Sequence, residues 1–129
     1  MADDCAGKLI ADDATCAPCA GLEDALSAAE VDQFMVNVPE WTYNEPRTQI
    51  EREVRTRNFR NGLLLVNRIG ALAENEGHHP DLLLTYSSLR ITLSTHKVKG
   101  LTSNDFILAV KINGVINSMA AELAPKKKT

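Results

Sequence analysis

The sequence predicts an α+β domain of two layers, in which a four-stranded antiparallel sheet has helices packed on one face. Three observations lead to this prediction. Apolar residues recur at helical spacing in three segments, and they alternate with polar residues in the segments between. The two patterns follow each other in the order α-ββ-α-ββ-α, with no β-α-β rhythm, glycine-rich phosphate loop or internal repeat.

The composition is that of one ordinary globular domain. The chain has 129 residues, of which 44% are apolar and 24% are charged. Its 14 basic and 17 acidic residues give a net charge of −3, which is unfavourable for binding nucleic-acid phosphates. No apolar run approaches the roughly 20 residues of a membrane span, and no signal peptide is recognisable. We therefore expect a cytoplasmic protein that binds neither nucleic acid nor membrane.

The two ends of the chain differ in composition from its middle. Residues 1–24 are small, acidic and aperiodic, which predicts a flexible N-terminal arm before a domain over residues 25–124 and a basic tail over 125–129. The arm contains all three cysteines, and Cys16 and Cys19 form a CxxC pair. A redox or zinc role is one interpretation of this pair. No strand precedes it and no fourth metal ligand is near, which favours a solvated arm without such a role.

The first half of the domain is predicted to be a helix followed by a hairpin. Ser27-Ala28-Ala29-Glu30 matches a capping box, so a helix should begin there and end before Pro39. Residues 41–43 and 50–57 should pair as strands around a turn at 44–46. Charged residues occupy one parity of the second strand, which predicts that one face of the sheet is exposed to water.

The next helix has the most regular apolar pattern of the chain. It is predicted over residues 60–75, and Gly77 is placed to end it in left-handed conformation. Leu65 and Ala71 widen the apolar stripe, which predicts that a second surface, such as another subunit, covers part of this helix. The apolar positions that define the pattern are Leu63, Leu64, Val66, Ile69, Leu72 and Ala73.

A second hairpin and a last helix complete the domain. Residues 82–86 and 89–95 alternate as two strands around Ser87-Ser88. A loop over residues 97–100 follows. Thr102-Ser103-Asn104-Asp105 then resembles a second capping box, and the last helix is predicted from residue 106 to about residue 123.

All three histidines lie where a predicted element ends. His78 and His79 follow the second helix and precede Pro80, whereas His96 ends the last strand. The cationic form of histidine is stabilised near a helix C-terminus, which suits a proton donor. This distribution indicates a site shared by the three histidines. The alternative is that the histidines have separate structural roles, with which the same spacing is compatible.

A metal site is a further interpretation of the histidines, with Glu74 or Asp105 as an additional ligand. Adjacent histidines converge on one ion less readily than histidines two or four residues apart, which disfavours this interpretation. The supporting residues have simpler explanations as well. Asp105 could act only as a capping carboxylate, Glu74 only as a solvated residue of the last helical turn, and Tyr86 only as a core residue.

The segment Glu74-Asn75-Glu76-Gly77-His78-His79-Pro80 is followed by Tyr86, Leu93-Ser94-Thr95-His96, Gly100-Leu101-Thr102 and Asp105. This pattern resembles the signature of the pterin-4a-carbinolamine dehydratases, a family also known as the dimerization cofactor of a hepatocyte nuclear factor. Trp41 is similar to the tryptophan that opens the first strand of the family, and the resemblance covers about residues 27–120. After the HHP motif the chain departs from the animal members, because Asp81 is followed by Leu82 instead of tryptophan.

The resemblance implies an enzyme, 4a-hydroxytetrahydrobiopterin dehydratase, a hydro-lyase. Such an enzyme removes water from 4a-hydroxytetrahydropterin to give quinonoid dihydropterin, and so recycles the pterin of aromatic amino-acid hydroxylases. The resemblance implies that His78 and His96 are the general acid/base pair and that His79 binds the pterin and assists proton transfer. The residues that it implies in substrate binding or support are Glu74, Pro80, Asp105 and Tyr86.

The resemblance also implies what accompanies the reaction. The pterin is the substrate, and neither a metal nor a cofactor is expected. The protein is expected to be a homodimer or a homotetramer, with a functional link to an aromatic amino-acid hydroxylase. A non-catalytic binding, assembly or coactivator protein on the same fold is the alternative function.

Overall fold

The computed structural model describes Ile10 and residues 24–123. The helices are α1 (Ala28–Met35), α2 (Phe59–Glu76), α3 (Ser103–Ser118) and the single turn α4 (Ala120–Leu123). The strands are β1 (Thr42–Tyr43), β2 (Ile50–Arg55), β3 (Asp81–Leu84) and β4 (Ser88–Leu93), and a short 3₁₀ helix covers His96–Val98. The predicted α+β fold is confirmed. The predicted arm, apart from Ile10 and Asp24, and the basic tail lie outside the described residues.

Local hydrogen bonds begin and end the first two long helices as predicted. The Ser27 N–H donates to the Glu30 carboxylate at 2.9 Å, and the Glu30 N–H donates to the Ser27 hydroxyl at 3.2 Å, so the capping box of α1 is present. Gly77 ends α2 with φ of 70°, and its N–H donates to the Ala73 carbonyl at 2.9 Å. This left-handed conformation costs glycine little, because glycine has no Cβ.

The last helix differs from the prediction at both ends. It begins at Ser103, three residues before the predicted start, because the N-cap of its capping box is Thr102 and helical geometry follows directly. It ends at Ser118, since Met119 leaves helical geometry with φ of −106° and ψ of 18°. This turn directs the Met119 side chain into the core, where it is buried, and α4 follows as a separate turn.

The sheet has the strand order β1-β2-β4-β3, with antiparallel neighbours throughout. The two hairpins therefore lie side by side and are joined by pairing of β2 with β4 from Ile50↔Leu93 to Arg55↔Ser88. In the second hairpin Asp81 pairs with Thr92, so the first residue of β3 lies beside the last residues of β4. This register brings the segment before β3 and the segment after β4 to the same end of the sheet.

The core lies between one face of the sheet and the long helices. Ile50 and Val54 of β2 are buried on this face, whereas Glu53 and Arg55 are exposed, which confirms the prediction of one wet face. Burial of each large apolar side chain contributes about 1.5–3 kcal/mol to folding. The largest fully buried side chains are Trp41, Phe106, Ile50, Leu65, Ile69, Leu89, Ile91, Leu93, Leu101, Leu108, Ile112 and Met119.

The rotation of α2 differs from the one predicted by its apolar pattern. Leu63 and Leu64 are exposed, and Leu65 is fully buried. Gly62 lies on the buried face with Leu65, and a Cβ at this position would lie 2.5 Å from Leu84 Cδ1, so this face of α2 packs closely against the sheet. The expected additional apolar surface therefore exists, but Leu63 and Leu64 form it instead of Leu65. Over residues 24–123, no helix combines the length and the apolar character of a membrane span.

A polar cluster links the sheet to α3 beside the buried Trp41. The Asn113 side-chain oxygen accepts hydrogen bonds from the Trp41 indole at 2.8 Å and from the Arg52 guanidinium at 2.6 Å. The Asn113 amide in turn donates to the Glu40 carboxylate at 3.2 Å. Burial lowers the pKa of Arg52, and the charge of Glu40 opposes this shift. One amide oxygen therefore satisfies two partly buried donors.

We predict that Asn113→Ala lowers the free energy of unfolding by about 1–3 kcal/mol, because the Trp41 N–H loses its acceptor in the protein interior. Urea unfolding would measure this loss. Asn117→Ala is the matched control, since Asn117 lies on the exposed face of the same helix. Equal stability of the two variants would contradict the role assigned to the cluster.

Candidate active site

The fold brings the three histidines to one end of the sheet. His78 and His79 lie between the C-terminus of α2 and the start of β3, and His96 follows the end of β4. The β3–β4 register places these two segments side by side. Together they border a cleft of about 180 Å³, which the three histidines line with Gly77, Ser94, Thr95 and Lys97.

His78 is held by a buried carboxylate. Its ring is only 5% exposed, and its Nε2 lies 2.6 Å from Oδ1 of Asp105, which is fully buried. The second carboxylate oxygen of Asp105 accepts hydrogen bonds from the Thr95 hydroxyl and from the Thr102 N–H, both at 2.9 Å. Thr95 and Thr102 also bond to each other through their hydroxyls, at 2.8 Å.

These contacts determine which nitrogen of His78 can act on a ligand. Asp105 is surrounded by donors and lies in the first turn of α3, where the helix dipole favours a negative charge. We therefore assign a proton to Nε2 of His78, and this N–H donates a hydrogen bond to Asp105. The Nδ1 atom has no hydrogen bond within residues 24–123, so it remains available in the cleft.

His79 has a different environment. Its Nε2 pairs with the Glu74 carboxylate of the last turn of α2. The His79 and Glu74 side chains are 60% and 78% exposed, so water and salt screen their attraction. The pair orients the imidazole at the rim of the cleft and contributes little to stability.

His96 is exposed, and its ring makes no hydrogen bond to a residue within 24–123. Its backbone is nevertheless well held. The His96 carbonyl accepts from the Lys99 N–H at 3.1 Å, and an isolated bridge joins Thr95 to Gly100 on either side of the 3₁₀ helix. Position 100 requires glycine, because a Cβ there would lie 2.7 Å from the Cβ of Ala25. His96 is thus a free imidazole on an ordered loop.

Comparison with known proteins identifies the family of the chain. The family model described as pterin 4 alpha carbinolamine dehydratase matches residues 24–115. The chain belongs to this family. A relative from Halorhodospira halophila (strain DSM 244 / SL1), provisionally named a pterin-4-alpha-carbinolamine dehydratase, is 42% identical over 103 residues, which cover 80% of this chain and 94% of the relative. A relative with the same provisional name from Methylococcus capsulatus is 39% identical over 98 residues, which cover 76% of this chain and 86% of the relative.

A solved structure supports the fold of this pterin carbinolamine dehydratase family member. The crystal structure of a transcriptional coactivator/pterin dehydratase from Brucella melitensis has a TM-score of 0.67 and 25% sequence identity to this chain. The similarity covers 71% of this chain and 98% of the other. The family assignment made from the HHP and STH segments is therefore confirmed, together with the fold that it implied.

The structure places most of the site residues implied by the family resemblance at one cleft. His78, His79 and His96 line the cleft, with Asp105 behind His78 and Glu74 beside His79. Pro80 is half buried between His79 and β3.

Tyr86 lies apart from this group. It follows β3 at the opposite end of the second hairpin, so the whole length of β3, about 13 Å, lies between it and the histidines. Its side chain is 72% exposed, so the alternative of a core residue is wrong.

Sequence reasoning assigned no role to Thr95, although it contacts both Asp105 and the cleft. Its place directly before His96 in the STH segment was the available signal. Among the described residues, no group of three or more His, Cys, Asp or Glu side chains is arranged to hold a metal ion. Cys16 and Cys19 lie outside the described residues.

We predict that Asp105→Asn lowers the free energy of unfolding by about 1–3 kcal/mol, because it removes a carboxylate that accepts hydrogen bonds from three buried donors and alters the cap of α3. Glu74→Gln makes the same chemical change on the exposed pair and should change stability by about 0.5 kcal/mol or less. Chemical denaturation of both variants measures the difference. Similar losses would show that the burial of Asp105 does not decide its contribution.

Proposed function

We propose that this protein dehydrates 4a-hydroxytetrahydropterin, with 4a-hydroxytetrahydrobiopterin as the expected form, to quinonoid dihydropterin and water. The observation that carries the proposal is the convergence of His78, His79 and His96 on one cleft in a chain of the pterin carbinolamine dehydratase family. Their three environments, one buried and paired, one exposed and paired and one free, supply both proton donors and proton acceptors.

The reaction requires two proton transfers. The C4a–O bond breaks, and the oxygen leaves as water after taking a proton from an imidazolium. A ring N–H gives its proton to a neutral imidazole, and the electron pair left on nitrogen forms the new double bond at C4a. Both transfers are ordinary chemistry for histidine near neutral pH, so the proposal includes neither a metal nor a cofactor.

The contacts support distinct roles for the three side chains. His78 and His96 are proposed as the general acid/base pair. Asp105 accepts a hydrogen bond from the Nε2–H of His78 and so stabilises the imidazolium form, which leaves Nδ1 to exchange a proton with the substrate. His79, oriented by Glu74, is proposed to bind the pterin and assist the transfer. Pro80 restricts the backbone of His79 and so shapes the rim of the cleft.

The setting of the reaction is part of the same proposal. Removal of the carbinolamine recycles the pterin used by aromatic amino-acid hydroxylases, so the protein acts in the cytoplasm with a functional link to such an enzyme. A homodimer or homotetramer is proposed, supported by the exposed apolar side chains Phe59, Leu63 and Leu64 on α2.

A binding or coactivator protein is the second candidate, because the similar Brucella melitensis chain is called both a transcriptional coactivator and a pterin dehydratase. Such a role does not require a buried Asp105 aligned with a cleft histidine. The His78–Asp105 contact therefore favours the enzyme.

Turnover of freshly generated 4a-hydroxytetrahydropterin by chelator-treated protein tests the proposal directly. We expect a rate well above spontaneous dehydration, and no gain when divalent metal is restored. A folded sample without acceleration would favour the coactivator candidate. Activity that is lost with the chelator and regained with metal would instead contradict the metal-free mechanism.

We predict that His96→Ala remains folded, because the ring is exposed, and that its turnover falls by about 10²- to 10⁴-fold. The matched control is Arg60→Gln, an exposed change in the first turn of α2, about 27 Å along the helix from its histidine end. Circular dichroism should show the same fold for both variants. Normal turnover in folded His96→Ala would remove His96 from the mechanism.

A further inference from the structure

A second cleft adjoins the histidine cleft. Its volume is about 290 Å³, and its lining includes Thr48 and Gln49 before β2, together with Lys99 and Gly100 after the 3₁₀ helix. Ser94, Thr95 and His96 line both clefts. His96 therefore stands at the boundary between them, and a ligand that contacts His96 in the first cleft can extend into the second.

The sizes of the two clefts favour one ligand that occupies both. Pockets for small molecules usually enclose about 300–1,000 Å³. The histidine cleft, at about 180 Å³, is too small by this measure for a substrate with a long substituent. The adjoining space of about 290 Å³ brings the combined site into the usual range. We assign the pterin ring to the first cleft and its substituent to the second.

The charges around the two clefts favour an anionic substituent. Lys97 lines the first cleft and Lys99 lines the second, and neither lining contains a carboxylate among the described residues. The Asp105 and Glu74 carboxylates are paired with His78 and His79, respectively. This local surface contrasts with the net charge of −3 for the whole chain.

The second cleft also presents side chains that are available to a ligand. Within residues 24–123, neither the Lys99 ammonium nor the Gln49 amide has a hydrogen-bond or ion-pair partner. Their backbones are held in place. The Gln49 N–H donates to the Asn44 side chain at 2.9 Å, and Lys99 has left-handed backbone with φ of 55°, closed by its bond to the His96 carbonyl.

The conformation of Lys99 is informative. Left-handed backbone is rare for a residue with a Cβ, and glycine would adopt it without strain. A lysine at this position keeps a cation beside the cleft at the expense of local backbone strain, and such strained positions are often found at functional sites.

We propose that the second cleft is a subsite for an anionic group, a carboxylate or a phosphate, on the substituent of the pterin ring. Lys99 forms an ion pair with this group, and the Gln49 amide donates a hydrogen bond to it. The inference rests on the proposed dehydratase function and changes its expected substrate. A pterin with an anionic substituent is preferred to tetrahydrobiopterin, whose substituent is neutral.

Binding of stable pterins to the full chain tests the subsite, with the change in pterin fluorescence as the readout. The probes are neutral 6-methylpterin, pterin-6-carboxylate and the phosphate ester of 6-hydroxymethylpterin. We expect one or both anionic probes to bind about threefold to fivefold tighter than the neutral probe at low salt, and the preference to shrink in salt. The probe with the larger preference identifies the anion and the reach of the subsite.

Charge variants show whether Lys99 causes the preference. Lys99→Gln should abolish it and Lys99→Glu should reverse it, whereas Arg60→Gln, which changes the net charge equally at the far end of α2, should retain it. Lys97→Gln should reduce it less than Lys99→Gln, because Lys97 lines the other cleft. A preference that persists in Lys99→Gln, or depends mainly on Lys97, overturns the subsite.

The same assays distinguish failure of the subsite from failure of the proposed function. If the protein binds all three pterins equally and dehydrates the carbinolamine, only the subsite is wrong. If it binds no pterin and does not accelerate dehydration, the proposed function is wrong and the subsite falls with it.

Discussion

The buried carboxylate of Asp105 is the interaction on which both the fold and the site depend. It caps α3 by accepting a hydrogen bond from the Thr102 N–H, and it also accepts hydrogen bonds from the Thr95 hydroxyl after β4 and from the His78 Nε2–H after α2. An unpaired carboxylate in this position would cost several kcal/mol. Three donors and the N-terminal end of a helix offset that cost only when all three segments are in place. The start of α3 and the orientation of His78 therefore depend on the same carboxylate.

The three histidines differ in burial and in hydrogen bonding because their surroundings differ. His78 is buried and its orientation is set by a carboxylate, His79 is exposed and paired, and His96 is exposed without a partner among the described residues. Different environments favour a division into proton donor and proton acceptor, as the acid/base mechanism proposed for this site requires. The strands contribute to this site only through their register, because the β3–β4 pairing places the segment before β3 beside the segment after β4.

The loop from Thr95 to Gly100 connects the two clefts, so its rigidity matters to both. It is closed by the bridge between Thr95 and Gly100, and Gly100 packs closely against Ala25. The Leu26 N–H also donates to the Leu101 carbonyl at 2.7 Å, which ties the segment before α1 to this loop. The start of the described domain thus supports His96 and Lys99, although neither residue is near it in the sequence.

Features that depend on bonds between near neighbours could be predicted from the sequence. The capping boxes at Ser27 and Thr102 and the left-handed Gly77 involve partners three or four residues apart, so a short window contains the whole cause. The alternation in β2 is likewise visible within six residues of sequence. The same holds for the position of the histidines at element ends, and the HHP and STH segments identified the family.

Other features depend on partners far apart in the chain, and the tertiary structure alone decided them. The pairing of β2 with β4, the contact of His78 with Asp105 across 27 positions and the burial of Leu65 instead of Leu63 or Leu64 each depend on how elements pack. Tyr86 shows most clearly what the sequence alone could not predict. It is only six residues after Pro80 in the sequence, but the full length of β3 separates it from the HHP motif. Local hydrogen bonds specify where an element begins and ends, whereas packing of apolar faces and pairing of strands specify which ends meet.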